Sequence, residues 1–158
     1  MSFKKVLIIR FGSIGDIVLT TPILRCIKNQ SNITIHYLTK DKYVDVVKDN
    51  PHLDKIFSIK KNTKEIITDL HSENYCAIID LQKNIRSIML KWQLKKPYIS
   101  FNKKNFKKWI LIYMGIDLLK KQHVVDRYFS ALKSFNIYND GEGLNYFISN
   151  QLDKHSFP

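Results

Sequence analysis

Apolar residues fall along this chain in short unbroken runs, separated by stretches where they recur at helical spacing. Val6-Leu7-Ile8-Ile9 is the first run, set between lysines and Gly12. Continuous apolar runs this short read as strands buried on both faces of a parallel sheet. Similar runs rich in β-branched and aromatic residues occupy 33–38, 55–59 and 77–81, with a fifth at 98–101 and a last short one at 144–148. Helical spacing predicts helices between them. The first carries Ile17, Val18, Ile23, Leu24 and Ile27, and the others cover 43–48, 63–71, 85–94, 106–114 and 124–135. Asn50-Pro51 ends the second, and Asn139-Asp140-Gly141-Glu142-Gly143 is a clear break. Pro22 interrupts the first helix, where an interior proline costs about 3 kcal/mol. That helix either kinks there or restarts with Thr21 as N-cap and Pro22 at its first position.

Strands alternating with helices predict an α/β fold, a Rossmann-like parallel sheet flanked by helices with right-handed crossovers. No internal repeat is present. Ligands in such folds bind beyond the carboxyl ends of the strands, which directs attention to the loops after Ile9, Leu38, Ile59 and Leu81.

Composition narrows the picture in three respects. The chain of 158 residues is 44% hydrophobic and poor in glycine and proline, which fits one domain with a real core. Its formal net charge is +12, from 26 basic and 14 acidic side chains, and all but four of the basic ones are lysine. Such a surface attracts phosphates, nucleic acid or an acidic membrane leaflet without choosing among them, and a merely solvated lysine surface is the plain alternative. Cys26 and Cys76 stand far apart with no CxxC and no paired histidines, so neither a zinc site nor a redox motif is expected. Both lie in apolar segments, which predicts buried free thiols and a reducing, cytoplasmic setting. The start of the chain lacks the apolar core and cleavage site of a signal peptide, and the longest apolar run, 109–116, is far short of the roughly 20 residues that cross a bilayer.

Chemistry concentrates in the loop after the first strand, Arg10-Phe11-Gly12-Ser13-Ile14-Gly15-Asp16. Two glycines three apart permit positive φ and a close backbone approach to a ligand, and the amides of the following helix start suit an anion. Neither GxGxxG nor the Walker sequence is present, because Ile14 follows Ser13 and Asp16 follows Gly15. An aspartate here repels a diphosphate, so the loop suits a reaction that needs a carboxylate. By spacing alone Asp16 reads first as a helix N-terminal acid favoured by the macrodipole.

The run from Val6 to Pro22, with Gly12-Ser13-Ile14-Gly15-Asp16 at its centre and Thr20-Thr21-Pro22 at its end, resembles the opening of glycosyltransferase family 9, the ADP-heptose:lipopolysaccharide heptosyltransferases. Two further segments agree with that family. Tyr75 to Gln82 followed by Arg86-Ser87 resembles its fourth strand and turn, and His123-Val124-Val125-Asp126-Arg127-Tyr128 resembles its His-x-x-(Asp/Glu)-Arg helix start. Three motifs in order over almost the whole chain are more specific than any one alone. Phe11-Gly12 departs from the small or polar residues many relatives carry, which blurs the acceptor.

The resemblance implies the N-terminal half of a GT-B glycosyltransferase. Residues 1–150 form the acceptor-binding domain, and 151–158 begin a linker to a C-terminal donor-binding domain absent from this sequence. It implies sugar transfer from a nucleotide-sugar, ADP-heptose in the family, to a lipopolysaccharide inner-core or related surface glycan, on the cytoplasmic side of the inner membrane. The mechanism is inverting, with Asp16 as general base, and the half-domain alone is expected to be inactive. No cofactor or metal is called for. Arg10, Gly12, Ser13, Gly15, Gln82, Lys83, Arg86 and Arg127 are the candidates for binding the anionic acceptor, because arginine forks and lysines suit carboxylates and phosphates. His123 is expected to serve the helix start, and Asp80 to bond loop amides.

Residues 101–110 interleave four lysines with Phe106, Trp109 and Ile110, and on a helix the aromatic residues and Tyr113 share a face opposite the lysines. An ordinary amphipathic helix explains this pattern, and an interfacial helix touching anionic lipid is the functional alternative. Two rival readings remain: a stand-alone Rossmann nucleotide-binding domain, opposed by the missing GxGxxG, and a basic nucleic-acid-binding module, unsupported by any helix-turn-helix, zinc or RNP signature.

Overall fold

A computed structural model describes residues 4–101 and 123–147. Their order is β1 (Lys5–Ile9), α1 (Ile14–Val18), α2 (Thr21–Gln30), β2 (Thr34–Lys40), α3 (Val44–Val47), β3 (Lys55–Ile59), α4 (Ile67–Ser72), β4 (Ala77–Asp80), α5 (Ile85–Leu94), β5 (Tyr98–Ser100) and α6 (Val124–Leu132). Short 3-10 turns, Asp41–Tyr43, Thr63–Glu65 and Lys133–Phe135, extend three of the helices. All strand pairs are parallel, in the order β3-β2-β1-β4-β5. This is the α/β Rossmann-like sheet that the alternation predicts.

The central strands are continuous apolar runs because each face meets a helix layer. Val6, Ile8, Ile35, Tyr37, Ala77 and Ile79 pack beneath α1, α2, α3 and α6. Leu7, Ile9, Leu38, Phe57, Ile59 and Ile78 pack against Leu70 of α4 and Leu90 and Leu94 of α5. Alternate residues of one strand therefore serve opposite cores, as the two-residue pleat repeat requires.

The first helix breaks rather than kinks. Thr20, not Thr21, precedes α2, and Pro22 falls one position inside it. Pro22 has no N–H to give, and the hydroxyls around it take up the carbonyls left over. Thr21 Oγ1 donates to Val18 O at 2.8 Å and Thr20 Oγ1 to Ile17 O at 2.7 Å. Thr20 Oγ1 also meets Tyr37 Oη at 3.1 Å, which ties the break to the sheet. The Thr-Thr-Pro triplet is thus a built corner that separates α1, beside the loop, from α2.

Two expectations are corrected. Residues 144–147 form no strand. On both sides of the 139–143 break the chain lies along α2, where side chains take its backbone: Gln30 bonds both Tyr138 N and O, and Thr21 Oγ1 accepts from Asn145 N. Buried Arg25 clamps the segment through a two-pronged pair with Asp140, 2.7 and 2.6 Å, which holds that carboxyl well below its ordinary range. Cys76 is exposed, unlike Cys26. It stands in the bend just before β4, its N–H on Lys5 O, between buried Tyr75 and Ala77. The 106–114 helix, the lysines around it, Ile148 and the 151–158 linker lie outside the described residues.

Candidate active site

The sheet order makes β1 and β4 the switch point. From β1 the chain winds towards β2 and β3, whereas β4 and β5 lie on the other side, so the loops after β1 and β4 part and leave a crevice. Three contacts hold the crevice walls in place. Phe11 N donates to Gln82 Oε1 at 3.0 Å, Leu81 N donates to Ile9 O at 3.1 Å, and Arg10 Nη1 donates to Leu81 O.

Asp16 lies at this crevice on the third residue of α1, with Ser13 as N-cap. Its Oδ2 accepts from Ser13 N at 3.3 Å, meets Ser13 Oγ at 3.4 Å and pairs with Arg10 Nη2. All three contacts fall on one oxygen. Its side chain is 40% exposed, whereas Arg10's is 8% exposed. Arg10 also bonds Tyr128 Oη of α6 at 3.2 Å, and burial pushes the Tyr128 hydroxyl up from its ordinary value. A buried guanidinium bonded on two sides fixes the carboxylate from beneath. The helix-capping contacts thus leave the Asp16 carboxylate part-exposed at the crevice.

Gly12 is required by its surroundings. Its φ is +136°, and a Cβ there would lie 2.3 Å from Tyr43 Cε2. Gly12→Ala is expected to cost about 1–3 kcal/mol in thermal denaturation from backbone strain alone, before the clash is counted. Tyr43→Ala in the same chain should restore only part of that, because the backbone angle remains. Gly15 differs: it is helical, and a Cβ would meet nothing within 4 Å. Its glycine leaves open space beside Asp16.

Asp80, at the end of β4, is fully buried. Its Oδ1 accepts from Gln82 N and Lys83 N, both at 2.8 Å, and its Oδ2 accepts from Ser87 Oγ at 2.6 Å and from Tyr98 Oη. Burial, then the bond to Asp80, raises the Tyr98 hydroxyl above its ordinary value and keeps it a donor. The expected loop-bonding role is therefore observed, with two further partners. Lys83, at φ +49°, sends Nζ to Phe101 O at 3.1 Å. Arg127 lies over the Phe101 ring, 5.2 Å from its centroid. His123 caps α6, its Nδ1 accepting from Val125 N at 3.3 Å.

Arg86 is positioned differently. With Lys40, Lys42, Lys60 and Lys61 it lines a groove of about 410 Å³ beyond the carboxyl ends of β2 and β3, where Asp41 is the single acid. The groove adjoins the Asp16 loop on two sides. Arg86 lies 5.9 Å over the Phe11 ring, and Lys42 lies 4.8 Å over Tyr43, which itself rests on Gly12. The sequence pointed to the loops after Leu38 and Ile59 without singling out these lysines. Their position directly after two strand ends was the available signal.

The structure thus brings Arg10, Gly12, Ser13, Gly15, Asp16 and Gln82 together, sets Arg86 in the adjoining groove, and leaves Lys83 and Arg127 on Phe101. No cluster of metal-ligating side chains occurs among the described residues, and no described helix is long and apolar enough to cross a membrane.

No family model matches the chain. It is 30% identical over 110 residues to lipopolysaccharide heptosyltransferase 1 of Campylobacter coli, an alignment covering 65% of this chain and 32% of that protein. Its fold matches the crystal structure of a glycosyl transferase family 9 protein from Veillonella parvula (TM-score 0.71, 20% identity, 92% of this chain and 45% of that one). It also matches the E. coli heptosyltransferase WaaC with ADP (TM-score 0.69, 21% identity, 91% and 51%). The chain spans about a third of the curated relative's length and about half of each solved chain. The chain is thus similar in sequence to a heptosyltransferase and shares its fold with the matching half of solved glycosyltransferase structures.

Proposed function

We propose that this chain is the acceptor-binding half of an inverting glycosyltransferase in which Asp16 is the general base. The observation that carries the reading is a part-exposed carboxylate held by buried Arg10 and by Ser13 at the switch-point crevice, next to a groove lined by five cations. A sugar hydroxyl becomes acidic only as it bonds to the anomeric carbon, and a positioned carboxylate that takes the proton at that moment is typically worth about 10²–10⁴-fold. The unshared oxygen, Oδ1, is the atom to receive it, since the contacts of Asp16 among the described residues fall on Oδ2.

The acceptor in this proposal is an anionic glycolipid of the lipopolysaccharide inner-core kind, with its carboxylates and phosphates in the Lys40–Lys42–Lys60–Lys61–Arg86 groove. Arg10 holds Asp16 instead of reaching the acceptor, because both of its terminal nitrogens are already bonded within the protein. Gly15 gives the sugar room to approach, Gln82 fixes the Phe11 backbone, and Lys83 and Arg127 shape the far wall through Phe101. The donor is a nucleotide-sugar, with ADP-heptose the leading candidate because a neighbouring heptosyltransferase is described with its 2-deoxy-2-fluoro analogue. It is bound by a second domain of the enzyme. Transfer takes place at the cytoplasmic face of the inner membrane.

Calorimetric titration of the chain with deacylated lipopolysaccharide inner core, and separately with an ADP-sugar, tests the division of labour. Binding of the glycan alone, weakened at high salt, is the expected result. Binding of the nucleotide alone would make this a self-sufficient nucleotide domain and overturn the reading.

A further inference from the structure

Helix α5 carries an apolar stripe on the side away from the core. Leu90, Leu94 and Ser87 face inward and are buried, yet Ile85, Ile88, Met89 and Trp92 are 79%, 41%, 49% and 72% exposed. These four stand at i, i+3, i+4 and i+7, so they form one continuous ridge opposite the buried face. Scattered exposed apolar side chains need no explanation, but a contiguous ridge ending in a tryptophan does. Its borders are cationic. From Ile85 to Lys96 the sequence has Arg86, Lys91, Lys95 and Lys96 and no acid. Lys91 flanks the ridge with its Nζ over the Tyr98 ring, and Arg86 flanks the other side and lines the basic groove.

We propose that the outer face of α5 docks the protein on an anionic lipid surface. A second protein copy would bring its own Arg86 and Lys91, with Lys95 and Lys96 just past the helix end, against these, a repulsion that a two-fold contact across the ridge cannot avoid. Anionic headgroups complement them, while Ile85, Ile88, Met89 and Trp92 enter the headgroup–acyl boundary, as amphipathic helices with a basic border do. The proposal deepens the glycolipid-acceptor reading and rests on it for its purpose: Arg86 joins the ridge to the groove, so a lipid-anchored sugar would reach Asp16 from the surface that holds its anchor.

Vesicle sedimentation with the 158-residue chain tests this, using phosphatidylglycerol–phosphatidylethanolamine vesicles against pure phosphatidylcholine. Binding to the anionic vesicles alone is expected, and I85Q/W92Q should weaken it by about tenfold or more. In a Trp109→Phe background, Trp92 emission should shift to the blue on binding. Tyr138→Ser, at an exposed aromatic residue elsewhere, should leave binding unchanged, and circular dichroism of I85Q/W92Q should match the parent. Equal vesicle binding by I85Q/W92Q and the parent overturns the proposal. So does a concentration-dependent dimer, seen by ultracentrifugation, that I85Q/W92Q abolishes while no vesicles are bound. Affinity for deacylated inner core is expected to be the same in I85Q/W92Q and the parent. A failed glycan titration would therefore count against the acceptor reading, and failed vesicle binding against this one.

Discussion

Asp16→Asn, placed in an active two-domain enzyme carrying this chain, is expected to lower turnover by about 10²–10⁴-fold while acceptor affinity stays within a few-fold. The amide keeps the size of the carboxylate and can still accept from Ser13 N, but it cannot take a proton from the acceptor hydroxyl. A competing effect must be separated from this one. The substitution also removes the anionic partner of Arg10, which is only 8% exposed, and a cation left without its counter-charge destabilises the fold. The pair is part-exposed on the aspartate side, so that cost is expected near about 1 kcal/mol, a downward shift of a few degrees in melting temperature. Turnover measured well below the melting transition isolates the chemical effect. Near-normal turnover would remove Asp16 from the role of base and leave it the capping residue that its contacts with Ser13 already make it.

Asp80→Ala is expected to be the most destabilising single change in the described part of the chain, by about 3–5 kcal/mol in urea or thermal unfolding. Four donors converge on this carboxylate in a place without water exposure: two loop amides, Ser87 Oγ and Tyr98 Oη. Alanine strands all of them. Asp80→Asn should cost much less. Its carbonyl still accepts from the two amides, and the Ser87 and Tyr98 hydroxyls can turn to accept from its NH2. A domain of this size is stable by only about 5–15 kcal/mol, so the alanine variant is expected to be partly unfolded near physiological temperature. If alanine and asparagine prove equally mild, Asp80 is not the knot that organises the loop after β4. The effect should also reach the crevice, because Gln82, placed by that loop, holds Phe11 N.

Much of the fold was legible because each strand carries its own evidence. Val6 to Ile9 is unbroken because both faces are covered, and the helical stretches show the spacing of one buried face. The failures are those where a distant partner overrode the local pattern. Residues 144–148 look like a strand, but 144–147 lie along α2 with Asn145 N on Thr21, 124 residues away in sequence. Pro22 announced a break, yet the corner starts one residue earlier because two threonine hydroxyls, not one cap, absorb the spare carbonyls. Cys76 looked buried from its apolar neighbours and is exposed because it lies in the bend before β4, outside the strand.

The candidate site divides in the same way. The sequence by itself determined where the candidate site lies. A short strand, a glycine-bearing turn and an aspartate at the following helix start are local features, set by neighbours within a few residues, and so is the capping contact between Ser13 and Asp16. Only the tertiary structure decided how Asp16 is held and what lies beside it. Arg10 reaches Leu81 and Tyr128, 71 and 118 residues away, and pairs with Asp16 from beneath. The basic groove exists because β2 and β3 end and α5 begins at one edge, which brings together lysines that the sequence marks only by their place after two strand ends. The physical reason is the range of the forces involved. Strand, turn and cap formation answer to adjacent residues, whereas burying a guanidinium or gathering five cations depends on which chain ends the parallel sheet sets side by side.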